Sequence, residues 1–188
     1  MTPCGILLAA GGGSRMGTPK ALKFDADGRS WLRRGVSTLR DAGCSPVIVV
    51  LGARAADAAA LLLPDFTDTL VVESDWQKGM SESLRSGLEA AQNLDAVAAV
   101  ITLVDLPDLD TTTITRVIGP TVQSDDLRRA VFHGTPGHPV VIGRNHWPAL
   151  IASLAGDSGA NAYLRAHHAD HVECSDLSTG RDVDYPQA

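Results

Sequence analysis

Residues 47–51 read Val-Ile-Val-Val-Leu, an unbroken apolar run in which all but the last residue are β-branched. A strand buried on one face alternates apolar with polar residues. A run without alternation belongs to a strand covered on both faces, the position strands hold in a parallel sheet between two layers of helices. Residues 5–10 and 97–104 are further apolar runs of strand length, with shorter ones at 70–72, at 139–142 and around Val172. Between them lie helical patterns. Residues 31–42 carry Leu32, Val36 and Leu39 at helical spacing and stop near Gly43. An alanine-rich segment runs to Pro64, and helices are predicted over 81–92, 111–122, 146–154 and 160–167. Strand and helix alternate without internal repeat, low-complexity tract or linker. This predicts one α/β domain over residues 1–188, three-layered, with a mainly parallel (mixed) central sheet. Ligands of such sheets bind beyond the carboxyl ends of the strands. Three unusual loops fall there, after Ala10, after Val72 and after Val104.

Bulk composition excludes several classes. A chain of 188 residues can bury a full core, and 44% hydrophobic with 20% charged residues is an ordinary globular balance. A net charge of −6 disfavours nucleic acid as a partner. No apolar stretch approaches the roughly 18 residues of a membrane helix, so no membrane partner is expected. The first residues, MTPCGILLAAGGG, lack a basic leader segment and pass straight into glycines, which predicts a strand and a cytoplasmic protein. Cys4, Cys44 and Cys174 are far apart and form no CxxC pair, so they are read as buried thiols.

The first loop reads Leu8-Ala9-Ala10-Gly11-Gly12-Gly13-Ser14-Arg15-Met16-Gly17-Thr18-Pro19-Lys20. Consecutive glycines let backbone N–H groups approach a ligand closely, a cradle for phosphate. A dinucleotide fingerprint from Gly11 and Gly13 would need glycine where Met16 stands, and a P-loop from Gly12 to Gly17 would need lysine at Thr18. What remains is glycines followed by Arg15 and then Lys20, a bidentate fork and a point charge suited to a triphosphate. No acidic residue lies between Gly11 and Phe24, so both cations are expected to be exposed and uncompensated. The alternative is a glycine-rich turn with solvated cations.

This segment resembles the signature of the MobA-like nucleotidyltransferases, which attach CMP or GMP to molybdopterin. The likeness extends through Gly79-Met80-Ser81-Glu82-Ser83-Leu84, Val104-Asp105-Leu106-Pro107, Gly137-His138-Pro139, Gly156-Asp157-Ser158-Gly159-Ala160 and Asp182-Val183-Asp184-Tyr185-Pro186. The double alanine before the glycines and the three-residue gap between Met16 and Lys20 are similar to the molybdenum cofactor cytidylyltransferase branch. The resemblance implies a Rossmann-like nucleotidyltransferase fold. It implies triphosphate held by residues 8–13 (Leu8, Ala9, Ala10, Gly11, Gly12, Gly13), by Ser14 and by the catalytic cations Arg15 and Lys20. Gly79, Ser81 and Ser83 would contact the nucleoside, although Ser81 is equally suited to capping a helix N-terminus.

Asp105 directly follows a buried strand, and a carboxylate facing phosphates calls for a hard cation between them. In the family this aspartate holds Mg²⁺. Asp182 and Asp184, two apart in an extended segment, point the same way. They resemble the family's late acidic motif, with Asp184 completing the metal site and Asp182 on the acceptor side; taken alone, such tail aspartates are usually solvated. Asp108 and Asp110 are read as solvated or capping residues. His138 is suited to acceptor contact or to shaping its loop, and Asp157 lies in a segment that resembles an acceptor-side loop. Glu73, Leu106 and Asn161 depart from the family's usual asparagine, glutamine or methionine, and arginine at those places.

The implied reaction is displacement at the α-phosphorus of CTP by the terminal phosphate of molybdopterin, with pyrophosphate leaving and a molybdoenzyme or its maturation chaperone as client. GTP as the donor, or a sugar or alcohol phosphate as the acceptor, fits the same residues. A non-catalytic cofactor carrier or a nucleotide-binding regulatory domain would not need Arg15, Lys20 and Asp105 together.

Overall fold

A computed structural model describes residues 2–13, 17–156 and 158–183. Its strands are β1 (Cys4–Ala9), β2 (Val47–Leu51), β3 (Leu70–Glu73), β4 (Ala98–Leu103), β5 (Leu127–Phe132), β6 (Thr135–Gly143) and β7 (Asp170–Glu173). Its α-helices are α1 (Trp31–Asp41), α2 (Ala55–Ala60), α3 (Met80–Gln92), α4 (Thr111–Ile118), α5 (Trp147–Ser153) and α6 (Asn161–Ala166). The strands form one sheet in the order β3-β2-β1-β4-β6-β5-β7. From β3 to β4 every pairing is parallel; β6 runs antiparallel to both β4 and β5, and β7 is parallel to β5. The mixed, mainly parallel α/β sheet expected from the sequence is present.

Strand alternation divides the core into two layers. Leu7, Ala9, Val47, Val49, Leu51, Val100 and Val141 pack with Leu32, Val36 and Leu39 of α1 and Ile114 and Val117 of α4. Ile6, Leu8, Ile48, Val50, Ile101, Val140 and Ile142 pack on the opposite face against Leu84 and Leu88 of α3, Trp147 and Leu150 of α5, and Leu164 of α6. The two-sided burial read from residues 47–51 is therefore realised, with all five residues of β2 buried. Cys4, Cys44 and Cys174 are free thiols and buried. Among the described residues no helix is long and apolar enough to cross a membrane.

β5 is a strand not expected from the sequence, and β6 begins at Thr135 rather than at 139. The two strands form a hairpin closed by His133 and Gly134, both with positive φ (50° and 77°), as a two-residue I′-type turn requires. β5 reads Leu-Arg-Arg-Ala-Val-Phe, and its adjacent arginines hide the apolar alternation. Helix α4 ends at Ile118 rather than 122, because the Gly119 N–H closes onto the Thr115 carbonyl and Pro120 follows.

Candidate nucleotide site

The end of β1 runs beside the turn that follows β4: the Val104 N–H donates to the Leu8 carbonyl at 3.1 Å. The glycine loop leaves from Ala10. At Gly13 the backbone has φ 63°, and a Cβ there would sit 2.0 Å from the Thr18 carbonyl oxygen. The loop therefore doubles back so tightly that only glycine fits. A Cβ on Gly12 would meet the Trp76 ring at 2.7 Å, whereas one on Gly11 would meet nothing within 4 Å. Among the described residues, Gly11 thus faces open space. Ser14 and Arg15 lie outside the described residues. Trp76, in a short 3-10 turn after β3, walls the loop; the sequence reading gave it no role beyond its place in a polar loop.

Lys20 opens another 3-10 turn, and its Nζ donates to Asp105 Oδ2 at 2.5 Å. The side chains retain only 18% and 11% of their exposure. Lys20 is therefore neither exposed nor uncompensated as expected: its counter-charge comes from 85 residues away in sequence, beyond the reach of a local search. The contact brings the candidate triphosphate cation and the candidate metal carboxylate to one place. No described residue bonds Asp105 Oδ1. Mg²⁺ is commonly bound through one or two carboxylates plus substrate phosphates and water, so a single buried carboxylate beside a phosphate cradle fits such an ion. No group of three or more potential ligand side chains occurs among the described residues.

The C-terminal segment is tied along this turn. The Val183 N–H donates to the Asp105 carbonyl at 3.0 Å, and Asp108 accepts from the Thr179 N–H at 2.6 Å and the Ser178 hydroxyl at 3.2 Å. Burial pushes the Asp108 pKa up, but the bonds from Thr179 and Ser178 outweigh it and the net shift is downward. Asp108 is thus a clasp for the tail. Asp110 caps α4, accepting from the Thr113 N–H and hydroxyl, each at 2.7 Å. Asp182 is exposed, next to the Val183 contact; Asp184 lies outside the described residues.

Helix α3 begins at Met80 with Gly79 as its N-cap, so Ser81 is not the cap. Ser81 is buried, its N–H donates to the Gly156 carbonyl at 3.1 Å, and its Oγ has no hydrogen-bond partner among the described residues. A buried hydroxyl left unpaired at a helix start is ready for a ligand atom. Ser83 is engaged otherwise: its Oγ lies 3.2 Å from Ser74 Oγ, which donates to the Leu51 carbonyl at 3.3 Å.

His138 lines a cleft bounded by β6 and α6. Burial, with the positive charge of Arg129 adding to it, lowers its pKa to about 4, so its imidazole is neutral at physiological pH. Asn161 lines the same cleft; Asp157 lies outside the described residues. Glu73 ends β3 exposed, while Leu106 is buried.

A Rossmann-like mixed sheet, a glycine loop after its first strand and a carboxylate after β4 define a nucleotidyltransferase. The family model of the MobA-like NTP transferase domain matches residues 5–172, and the chain belongs to that family. It is 37% identical over 197 residues to the nicotine blue oxidoreductase of Paenarthrobacter nicotinovorans, covering 97% of this chain and 93% of that one. It is also 37% identical over 105 residues to a probable molybdenum cofactor guanylyltransferase of Rhodopirellula baltica, covering 56% of this chain and 49% of that one. Among solved structures, Rv0371c of Mycobacterium tuberculosis H37Rv in complex with manganese superposes with a TM-score of 0.70 at 29% identity, over 92% of this chain and 87% of that one.

Proposed function

We propose that the protein transfers CMP from CTP to the terminal phosphate of molybdopterin, with release of pyrophosphate. The observation that carries this reading is the Lys20–Asp105 contact beside the glycine loop. A lysine and a carboxylate in contact at the strand ends, where such sheets bind nucleotides, support the roles of phosphate cation and metal ligand. The glycine-loop N–H groups, Arg15 and Lys20 hold the triphosphate; Gly79, Ser81 and Ser83 hold the nucleoside. Ser81 is the strongest of these three, since its buried hydroxyl lacks a partner among the described residues.

Asp105, with Asp184, would hold Mg²⁺, which when bound supplies charge neutralisation at the phosphates. In the reaction a phosphate oxygen of the acceptor bonds to the α-phosphorus. The bond from that phosphorus to the oxygen bridging to the β-phosphorus breaks, and pyrophosphate leaves with the electron pair. The attacking oxygen is already anionic, so the chain's residues position and neutralise charge rather than remove a proton. His138, Asp157 and Asp182 are assigned to the acceptor side, the cytoplasm is the proposed location, and a molybdoenzyme or its chaperone receives the product.

Two other readings have specific support. The guanylyltransferase relative favours GTP. The full-length relative named an oxidoreductase favours redox chemistry, against which stands Met16 where a dinucleotide fingerprint needs glycine. Pyrophosphate release with each of the four NTPs, with and without molybdopterin, separates them. Release with CTP only when molybdopterin is present is expected. A preference for GTP moves the assignment to guanylyl transfer. No release with any NTP, together with oxidation of NADH coupled to reduction of nicotine blue by the same preparation, would overturn the transferase proposal.

A further inference from the structure

On the α6 side of the sheet, over β5, β6 and β7, lies a cleft of about 760 Å³. Strand register fixes its floor. Arg129 of β5 stands opposite Val140 of β6 and His171 of β7, and His138 lines the cleft with it. Arg165 and His168 line the side contributed by α6 and the turn after it.

Arg129 is only 8% exposed, and among the described residues its Nε has no hydrogen-bond partner and no carboxylate pairs with it. Arg33, Arg34, Arg40, Arg116 and Arg128 each meet an aspartate. The chain has 22 acidic against 16 basic residues, so a partner could have been supplied. A buried, unpaired guanidinium is costly, and burial pulls its pKa below the usual arginine value. Arg165, His168 and His171 are exposed at the cleft, and no described carboxylate lines it. A positive recess on a chain of net charge −6 attracts anions.

We propose that this cleft, which no glycine-loop residue lines, is a second ligand site for a small anionic molecule whose phosphate or carboxylate group pairs with Arg129. The guanidinium matches either oxyanion in a bidentate fork. Leu164, Pro136 and Ala169 supply apolar wall for the rest of the ligand.

Inorganic phosphate and acetate serve as probes in separate titrations of the full chain, read by the ¹⁵N–¹H signal of Arg129 Nε and by Tm. The proteins compared are wild type, Lys20→Met, Arg129→Met and Arg129→Lys. The Arg129 signal should move on titration in wild type and Lys20→Met alike. Arg129→Met should weaken binding about tenfold or more, the scale of a lost hydrogen bond to a charged group, with Arg129→Lys in between. Ligand-free Arg129→Met should melt no lower than wild type. Preference for phosphate marks a phosphoryl ligand and preference for acetate a carboxylate; either supports the site. Binding unchanged in Arg129→Met but lost in Lys20→Met would assign the anion to the glycine loop and overturn the proposal. So would no anion response in wild type combined with a lowered Tm in Arg129→Met, which would make Arg129 structural.

Discussion

Two enclosed cations stand on opposite halves of one sheet, and they are solved differently. Lys20, beside the parallel half, is paired at 2.5 Å with Asp105. Arg129, on the half built from the β5–β6 hairpin and β7, is more deeply buried and has no carboxylate among the described residues. A paired site is electrically balanced at rest and holds both charges in place until a polyanion and its metal arrive together. An unpaired site keeps its positive potential and depends on a ligand to balance it. The first fits a substrate that brings its own cation; the second fits a simple oxyanion.

The largest expected effect breaks the paired site. Asp105→Asn keeps shape and a carbonyl oxygen for Lys20 but removes the charge. Turnover should fall by about two orders of magnitude or more, the scale of losing one main electrostatic stabiliser. Because the carboxylate also balances a largely enclosed ammonium, stability should fall by about 1–2 kcal/mol. Steady-state pyrophosphate release and urea unfolding read the two effects, and activity near wild type would remove Asp105 from the metal site.

The same substitution at the two cations should then give opposite signs. Lys20→Met strands the Asp105 carboxylate in a mostly buried position and should lower stability by about 1–3 kcal/mol. Arg129→Met removes a buried charge that has no partner while keeping its apolar stem. It should leave stability unchanged or raise it by about 1 kcal/mol, some 2–4 °C in Tm for a chain this size. Thermal melts of both variants without ligand decide the matter, and a loss at Arg129 as large as at Lys20 would erase the contrast.

The halves also differ in how far the sequence disclosed them. The parallel half was legible because two-sided burial leaves runs such as residues 47–51 with nothing polar in them, and because Gly11, Gly12 and Gly13 directly after a strand have few structural uses. Asp105 stood out for the same reason, as a charge at the end of a buried strand. The Lys20–Asp105 pair was not legible, since nothing local records a contact across 85 residues. The hairpin half was obscured by its own chemistry: Arg128 and Arg129 interrupt β5, and only the His133-Gly134 pair gives a turn signal. The residue that makes the cleft interesting is thus the one that hid its strand.

A smaller effect probes the glycine loop itself. Gly13→Ala places a methyl group 2.0 Å from the Thr18 carbonyl at a positive φ, so the loop must reopen. A cost of about 1–3 kcal/mol is expected, with nucleotide affinity reduced while anion binding at Arg129 is unchanged. Parallel titrations of CTP with Mg²⁺ and of phosphate followed at Arg129 test that independence; loss of both would couple the two halves.

The smallest effect sits in the cleft and concerns protons. The His138 pKa falls from an ordinary 6.5 to about 4 in the folded protein, chiefly through burial and secondarily through Arg129. Below 6.5 the unfolded chain therefore takes up a proton that the folded chain refuses. The unfolded state binds more protons in that window, so stability rises with pH there. Acidification from about 6.5 should destabilise the fold progressively, and the slope from this residue should vanish below about 4, where both states are protonated. Other histidines and the carboxylates add their own slopes, so the diagnostic quantity is a difference. His138→Gln keeps a polar side chain that does not titrate, and its stability profile should be flatter than that of wild type between pH 4 and 6.5. Arg129→Met should restore part of the lost proton affinity at His138, visible as a higher midpoint for that imidazole in an NMR titration. An unchanged midpoint would show that burial alone sets it and that the guanidinium's field does not reach the ring.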